Sequence, residues 1–139
     1  MLNHEKLDVN VLQDKDGISA LCGATSWNGH LEVVRALLDH GGVNVNVQNR
    51  DGIAALGGAC VRGQLEVVRA LLDHDGVDVN SKDKDGDTAL MPACRKDHAE
   101  IVRALLTYDG VDVNAHNEQG YTALFVASYA DNLEVVRAC

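Results

Sequence analysis

Aromatic side chains are scarce here, at 4% of a chain that is 46% hydrophobic. Any core must therefore be filled by Leu, Val and Ala rather than by stacked rings. Positive charge is also in short supply. Twelve Lys and Arg face 21 Asp and Glu, a net charge of −9, which argues against nucleic acid and anionic membranes as partners. No run approaches the roughly 18 apolar residues of a membrane span, so membrane insertion is not expected. The opening decapeptide MLNHEKLDVN carries charges every few residues and has no apolar signal region. Cys-x-x-Cys pairs are missing as well. Cys60 and Cys94 lie 34 residues apart at the same phase of a repeat, about 10 Å apart if units stack side by side, and disulfide Cα atoms must come within about 7 Å. Reduced, mostly buried thiols in an intracellular, cytoplasmic chain are the expectation.

What the chain has is self-similarity. LEVVRA occupies residues 31–36, 65–70 and 133–138, and AEIVRA stands at 99–104, each step being 34 residues. The turn pairs Asp16-Gly17, Asp51-Gly52, Asp85-Gly86 and Gln119-Gly120 step by 35, 34 and 34, and Asn10, Asn46, Asn80 and Asn114 step by 36, 34 and 34. Three markers in register make the chain an array of one unit, with two one-residue insertions in its first copy.

Residues 80–114 show what one unit holds. Asp85-Gly86 after a short polar run is a turn signal, because Gly accepts positive φ without steric cost. Thr88 is read as the N-cap of a short helix ALMPAC, with Pro92 at its fourth position, where the ring removes only the first intrahelical bond. Asp97 is placed at the end of that helix, where Gly29 and Gly63 end theirs, in a left-handed conformation. A second helix AEIVRALL carries Ile101, Val102, Leu105 and Leu106 on one face, Gly110 closes it, and VDVN leads out extended. Neither helix reaches the roughly 12–15 residues needed to stand alone in water. Each copy must serve as the core of the next.

The segments DGDTAL, HAEIVRALLTYDGVDVNAHN and DGIAALGGACVRGQLEVVRALLDHDGVDVNSKD resemble ankyrin repeats, a β-hairpin finger followed by two antiparallel helices. The resemblance covers essentially all 139 residues. It implies an all-α fold with short β-hairpin loops: an ankyrin-repeat α-solenoid of helix-turn-helix units stacked side by side, elongated and right-handed. One domain, 1–139, divides into the tail of a preceding repeat (1–13), repeats at 14–48, 49–82 and 83–116, and an incomplete repeat at 117–139. The family's TPLH tetrapeptide stands here as SALC, AALG, TALM and TALF, so the hydrogen bonds of its His are lost and lower stability than the family ideal is expected. Repeat 2 is the weakest on this reading, with Ala54 in place of the capping Thr and Gly57-Gly58 inside its first helix. Neither end carries a polar capping repeat, which implies a piece of a longer array or ends that meet other chains.

Chemistry-bearing constellations are few. In SKDKDGDTALMP, a calcium loop with Gly86 at its sixth position would put Pro92 where the bidentate Glu belongs, so calcium is rejected. His4, His40 and His74 share one phase, one repeat apart, too far for a zinc with bonds near 2.1 Å. They suit the last turn of the second helix, where a partial positive charge opposes the helix dipole. His30 and His98 are read as structural inter-helix residues. The cysteines sit in helical apolar settings without an adjacent base, and there is neither a Gly-rich phosphate loop nor an HExxH. No enzyme activity, cofactor or metal is expected. The resemblance also implies Asn80 and Asn114 as hydroxylation positions, although a side chain bonding its own turn is read as the main job of these Asn residues.

The family binds proteins through its fingertips and the exposed concave face of its first helices. The resemblance implies, as partner-binding positions, Lys15, Ile18 and Trp27 in repeat 1 and Gln48, Arg50, Asp51, Ile53 and Arg62 in repeat 2. Repeat 3 contributes Lys82, Lys84, Asp85, Asp87, Arg95 and Lys96, and repeat 4 His116, Glu118, Tyr121 and Tyr129. With Asp16 added, that surface holds seven basic and five acidic residues on a chain of −9, a basic groove against an acidic back that steers acidic partners. A non-enzymatic scaffold binding a protein or peptide, an acidic one for choice, is the primary expectation. End-to-end self-association into a structural array, or a regulatory segment of a larger enzyme or channel, are the alternatives.

Overall fold

The computed structural model describes residue 10, residues 18–27 and residues 30–139, the side chain of Trp27 excepted. Eight short helices lie among them: α1 Ala20–Trp27, α2 Leu31–Leu38, α3 Ala55–Arg62, α4 Leu65–Leu72, α5 Leu90–Arg95, α6 Ala99–Leu106, α7 Ala123–Tyr129 and α8 Leu133–Ala138. Odd-numbered helices pack on one another in series, even-numbered helices do the same, and each pair packs back to back. The result is a two-layer helical stack.

The second-helix pattern puts its branched residues on one face. Val67, Val68 and Leu71 of α4 and Ile101, Val102 and Leu105 of α6 are buried, while Leu106 is only half-buried. The first helices contribute Leu21, Leu56 and Leu90 to the same core. Each such side chain stabilises the fold by about 1.5–3 kcal/mol relative to exposure.

The first helices α3, α5 and α7 end the same way. Gly63, Asp97 and Asp131 have φ of 72°, 59° and 58°, left-handed backbone. The next N–H donates back five residues, as Gln64 does to Ala59, His98 to Ala93 and Asn132 to Ala127, all at 3.0 Å. This Schellman closure satisfies carbonyls that the helix end would orphan. What stands at the left-handed position matches its neighbour in the next unit. A Cβ on Gly63 would lie 2.8 Å from Cε1 of His98. Beyond Asp97 stands Asn132, whose Nδ2 instead donates to the Cys94 carbonyl at 2.6 Å.

Several expectations need correction. Thr88 is buried and its hydroxyl caps nothing. The helix begins one residue later, at Leu90, with Ala89 as a capping residue that makes no side-chain bond, so Pro92 stands third rather than fourth. Side-chain capping does occur at Thr122, whose Oγ1 accepts from Phe125 N at 3.3 Å, and at Ser19, whose Oγ accepts from Cys22 N at 3.2 Å. The α6 helix closes at Thr107, and Gly110 lies in the turn beyond. His40 and His74 follow the α2 and α4 caps rather than ending the helices. Nδ1 of His40 accepts from Gly42 N at 3.2 Å.

Candidate interaction surface

Every described finger is built around one side chain three residues before its glycine. Oδ1 of Asn49 accepts from Asp51 N and Ile53 N, that of Asp83 from Asp85 N and Asp87 N, and that of Asn117 from Gln119 N and Tyr121 N, all at 2.9–3.0 Å. One oxygen thus holds two N–H groups, and the following Gly52, Gly86 and Gly120 take positive φ to complete the turn. Fingers then join edge to edge: Lys84 N donates to the Asp51 carbonyl and Glu118 N to that of Asp85, each at 3.0 Å. Gly52 and Gly86 permit that approach. A Cβ would fall 2.9 Å from Lys84 N at the first and 2.8 Å from Glu118 N at the second.

Asn10, Asn46 and Asn80 bond the next unit rather than their own turn, contrary to the expectation for these residues. Nδ2 of Asn46 donates to Gly76 O at 2.7 Å and its Oδ1 accepts from Asp78 N at 2.8 Å. Asn80 does the same to Gly110 O at 2.9 Å and Asp112 N at 2.8 Å. Asn10 reaches Gly42 O at 2.8 Å and Asn44 N at 2.6 Å. The own-turn role falls two residues earlier, to Asn44, Asp78 and Asp112.

Of the residues read as partner-binding, Lys15 and the side chain of Trp27 lie outside the described residues. Ile18 and Ile53 are half-buried. Several others are occupied in joining fingers. Gln48 Nε2 donates to Gly52 O, Ser81 Oγ and Lys82 O at 2.8, 3.0 and 2.9 Å, and Lys82 Nζ to His116 O at 2.9 Å. Lys84 pairs with Asp51 at 2.6 Å, and the hydrogen bond to that carboxylate holds the ammonium above its ordinary range. Arg95 pairs with Asp87 at 2.9 Å, and the other oxygen of that carboxylate accepts from Asn117 Nδ2 at 2.9 Å. Arg50, Arg62 and Lys96 are exposed and their side chains make no hydrogen bond or ion pair among the described residues, and Asp85 and Glu118 are exposed as well. Outside the two ion pairs, four cations (Arg50, Arg62, Lys82, Lys96) therefore face two carboxylates on the described part of this surface.

Arg95 stands where three open hollows meet. One of about 150 Å³ runs past Ile53, Gly57, Val61 and Pro92. A second of about 400 Å³ lies beside Lys84, Asn117 and Glu118, and a third of about 500 Å³ lies beside Tyr121, Phe125 and Tyr129. Those three rings form a column, with centroids 4.4 Å apart for Tyr121–Phe125 and 6.3 Å for Phe125–Tyr129, and Tyr129 is 86% exposed. The two tyrosines were expected on this surface and Phe125 was not, although it lies four residues from each of them.

Cys22, Cys60 and Cys94 are buried free thiols. Burial pushes the Cys60 thiol far above its usual range and raises Cys94, with its neighbour Cys139 adding to the effect, to about 12. Such thiols are poor nucleophiles at neutral pH. Among the described residues no group of three or more His, Cys, Asp or Glu converges to hold a metal ion. None of the described helices is long and apolar enough to cross a membrane.

The family model described as ankyrin repeats (3 copies) matches residues 1–83 and 75–138. The chain belongs to the ankyrin repeat family. Ankyrin repeats are in general protein–protein interaction modules and typically non-catalytic. No individually curated protein shows a significant match to this chain.

Proposed function

We propose that this ankyrin-repeat chain is a scaffold that binds an acidic protein segment carrying an aromatic or bulky apolar anchor. The segment lies along the fingertips and first helices from Arg50 to Tyr129. The observation that carries this reading is the coincidence on one surface of the cations Arg50, Arg62 and Lys96, which have no partner among the described residues, with an exposed three-ring column. Exposed cations on a chain of −9 give orientation, because the rest of the molecule repels an acidic ligand while this face attracts it. Exposed Tyr and Phe beside Arg supply the rigid contact area that dominates interface energies. Arg95 has a second role here: held by Asp87, it forms a wall of all three hollows.

The test is a titration of labelled acidic peptides, with and without an aromatic residue, followed by fluorescence anisotropy. Arg50→Glu, Arg62→Glu and Lys96→Glu together should weaken binding at least tenfold and leave the melting temperature nearly unchanged. Tyr129→Ala should weaken only the peptides that carry the ring. Equal affinity for wild type and the triple variant would remove the charge argument. Equal loss with both peptide sets for Tyr129→Ala would remove the anchor.

A further inference from the structure

One place inside the stack is emptied by the sequence. Cys22, Met91 and Phe125 stand in their own first helices where Gly57 stands in α3. Sγ of Cys22 donates to the Val47 carbonyl of the next unit at 3.5 Å, and Met91 is fully buried. A side chain at this place therefore fills the space between a first helix and the finger beyond it. Gly57 leaves that space open. The hollow of about 150 Å³ is lined by Gly57 together with Ser81, the counterpart of Val47 in the next finger. Folding does not ask for the glycine: a Cβ there would meet only Ile53 Cγ2, at 3.4 Å. Glycine is also among the poorest residues for a helix interior.

The walls of this hollow are of two kinds. Ile53, Val61 and Pro92 are apolar, whereas Asp78, Asp83, Asp85 and Asp87 stand against a single cation, Arg95. Arg95 is paired with Asp87 at 2.9 Å, so the other three carboxylates give the lining its sign. Asp83 is the informative one. The finger needs one acceptor oxygen at its place, and Asn49 and Asn117 supply it in the neighbouring fingers. Asp83 does the same work with Oδ1, and its Oδ2 makes no hydrogen bond or ion pair among the described residues. The turn is the same and the charge is extra. Gly57 opens the space, and Asp83 adds a negative charge that the fold does not use.

A space of this size holds about one benzene-sized group, well short of the roughly 300–1,000 Å³ of small-molecule pockets. It suits a single side chain. We propose that the hollow receives one lysine or arginine side chain of the bound protein, its aliphatic stem against Ile53, Val61 and Pro92 and its charged head at Asp83. This rests on the reading of the face as a protein-binding surface. The otherwise acidic segment then carries one basic residue opposite Gly57, and the alternation of charge fixes its register.

Amide NMR of the full 139-residue chain, titrated with N-acetyl-lysine amide, tests this without any acidic ligand. Saturable shifts should centre on Ile53, Gly57, Val61 and Asp83. The norleucine analogue, with a similar stem and no charge, should bind about fivefold more weakly, the scale of one partly exposed ion pair. Asp83→Asn keeps the acceptor of the finger and should bring the lysine probe down to the norleucine level. Gly57→Met puts into α3 the residue that α5 carries at this place and should abolish the shifts from both probes, while the remaining amides keep their dispersion and show that the variant folds. The triple variant Arg50→Glu, Arg62→Glu and Lys96→Glu should not weaken the lysine probe, so failure of the acidic-segment reading and failure of the hollow give different results. Absence of saturable shifts at the hollow, or shifts untouched by Gly57→Met, would overturn the proposal. Equal binding of the two probes, or a lysine preference that survives Asp83→Asn, would overturn it as well.

Discussion

The α5–α6 and α7–α8 pairs are written to one pattern and live in different surroundings. Leu90 and Leu124 each stand two residues after a Thr at the start of a first helix, yet one is sealed and the other is half in solvent. Gly86 and Gly120 turn their fingers with φ of 78° and 82°, yet only Gly86 has a neighbouring finger against it. Asn80 is bonded across to the next unit, whereas Asn114 makes no such bond among the described residues. The value of a residue is thus set by the unit beside it. That is the behaviour of a quasi-one-dimensional array, in which neighbour interfaces carry most of the stability.

Paired substitutions sharpen the contrast. Leu90→Ala should destabilise the chain by about 3 kcal/mol in urea unfolding, whereas Leu124→Ala should cost about 1 kcal/mol or less, because only the first opens a cavity. Equal losses would mean that the two leucines are equally supported. Gly86→Ala forces a side chain into positive φ and into the Glu118 backbone, at an expected cost of about 2–3 kcal/mol. Gly120→Ala meets open space and keeps only the conformational penalty of about 1 kcal/mol. Asn80→Ala strands a carbonyl and an N–H of the next unit, for about 1–2 kcal/mol, and Asn114→Ala should be nearly silent in the monomer. The smallest effect has the opposite sign. A Cβ on Gly58 would sit 3.5 Å from Thr25 Oγ1, an ordinary contact, so Gly58→Ala should raise stability by about 0.5–1 kcal/mol through helix propensity alone.

What was legible in the sequence was local or periodic. The 34-residue step, the α6 boundaries at Ala99 and Leu106, and the left-handed place at Asp97 all follow from short-range patterns. The roles that escaped are those in which a side chain chooses between its own turn and its neighbour. An Asn can cap its own loop or reach across to the next, and nothing in DVN distinguishes the two until Gly76 and Gly110 stand beside it. The partner-binding positions were blurred for the same reason. Lys84 and Asp51 lie 33 residues apart, so their ion pair appears only once the fingers are in register. Phe125 holds the place of Met91, which is buried in repeat 3, and its exposure shows only once the surroundings of α7 are known.

The most direct measurement concerns repeat 3 taken out of the stack. A peptide of residues 83–116 contains α5 and α6, helices of 6 and 8 residues, with every internal hydrogen bond of the unit available to it. Far-ultraviolet circular dichroism through a thermal scan should show a largely unfolded chain with no cooperative transition, while the full chain melts as a cooperative helical structure. A folded peptide with a sharp melt of its own would contradict the claim that each unit is held together by those on either side.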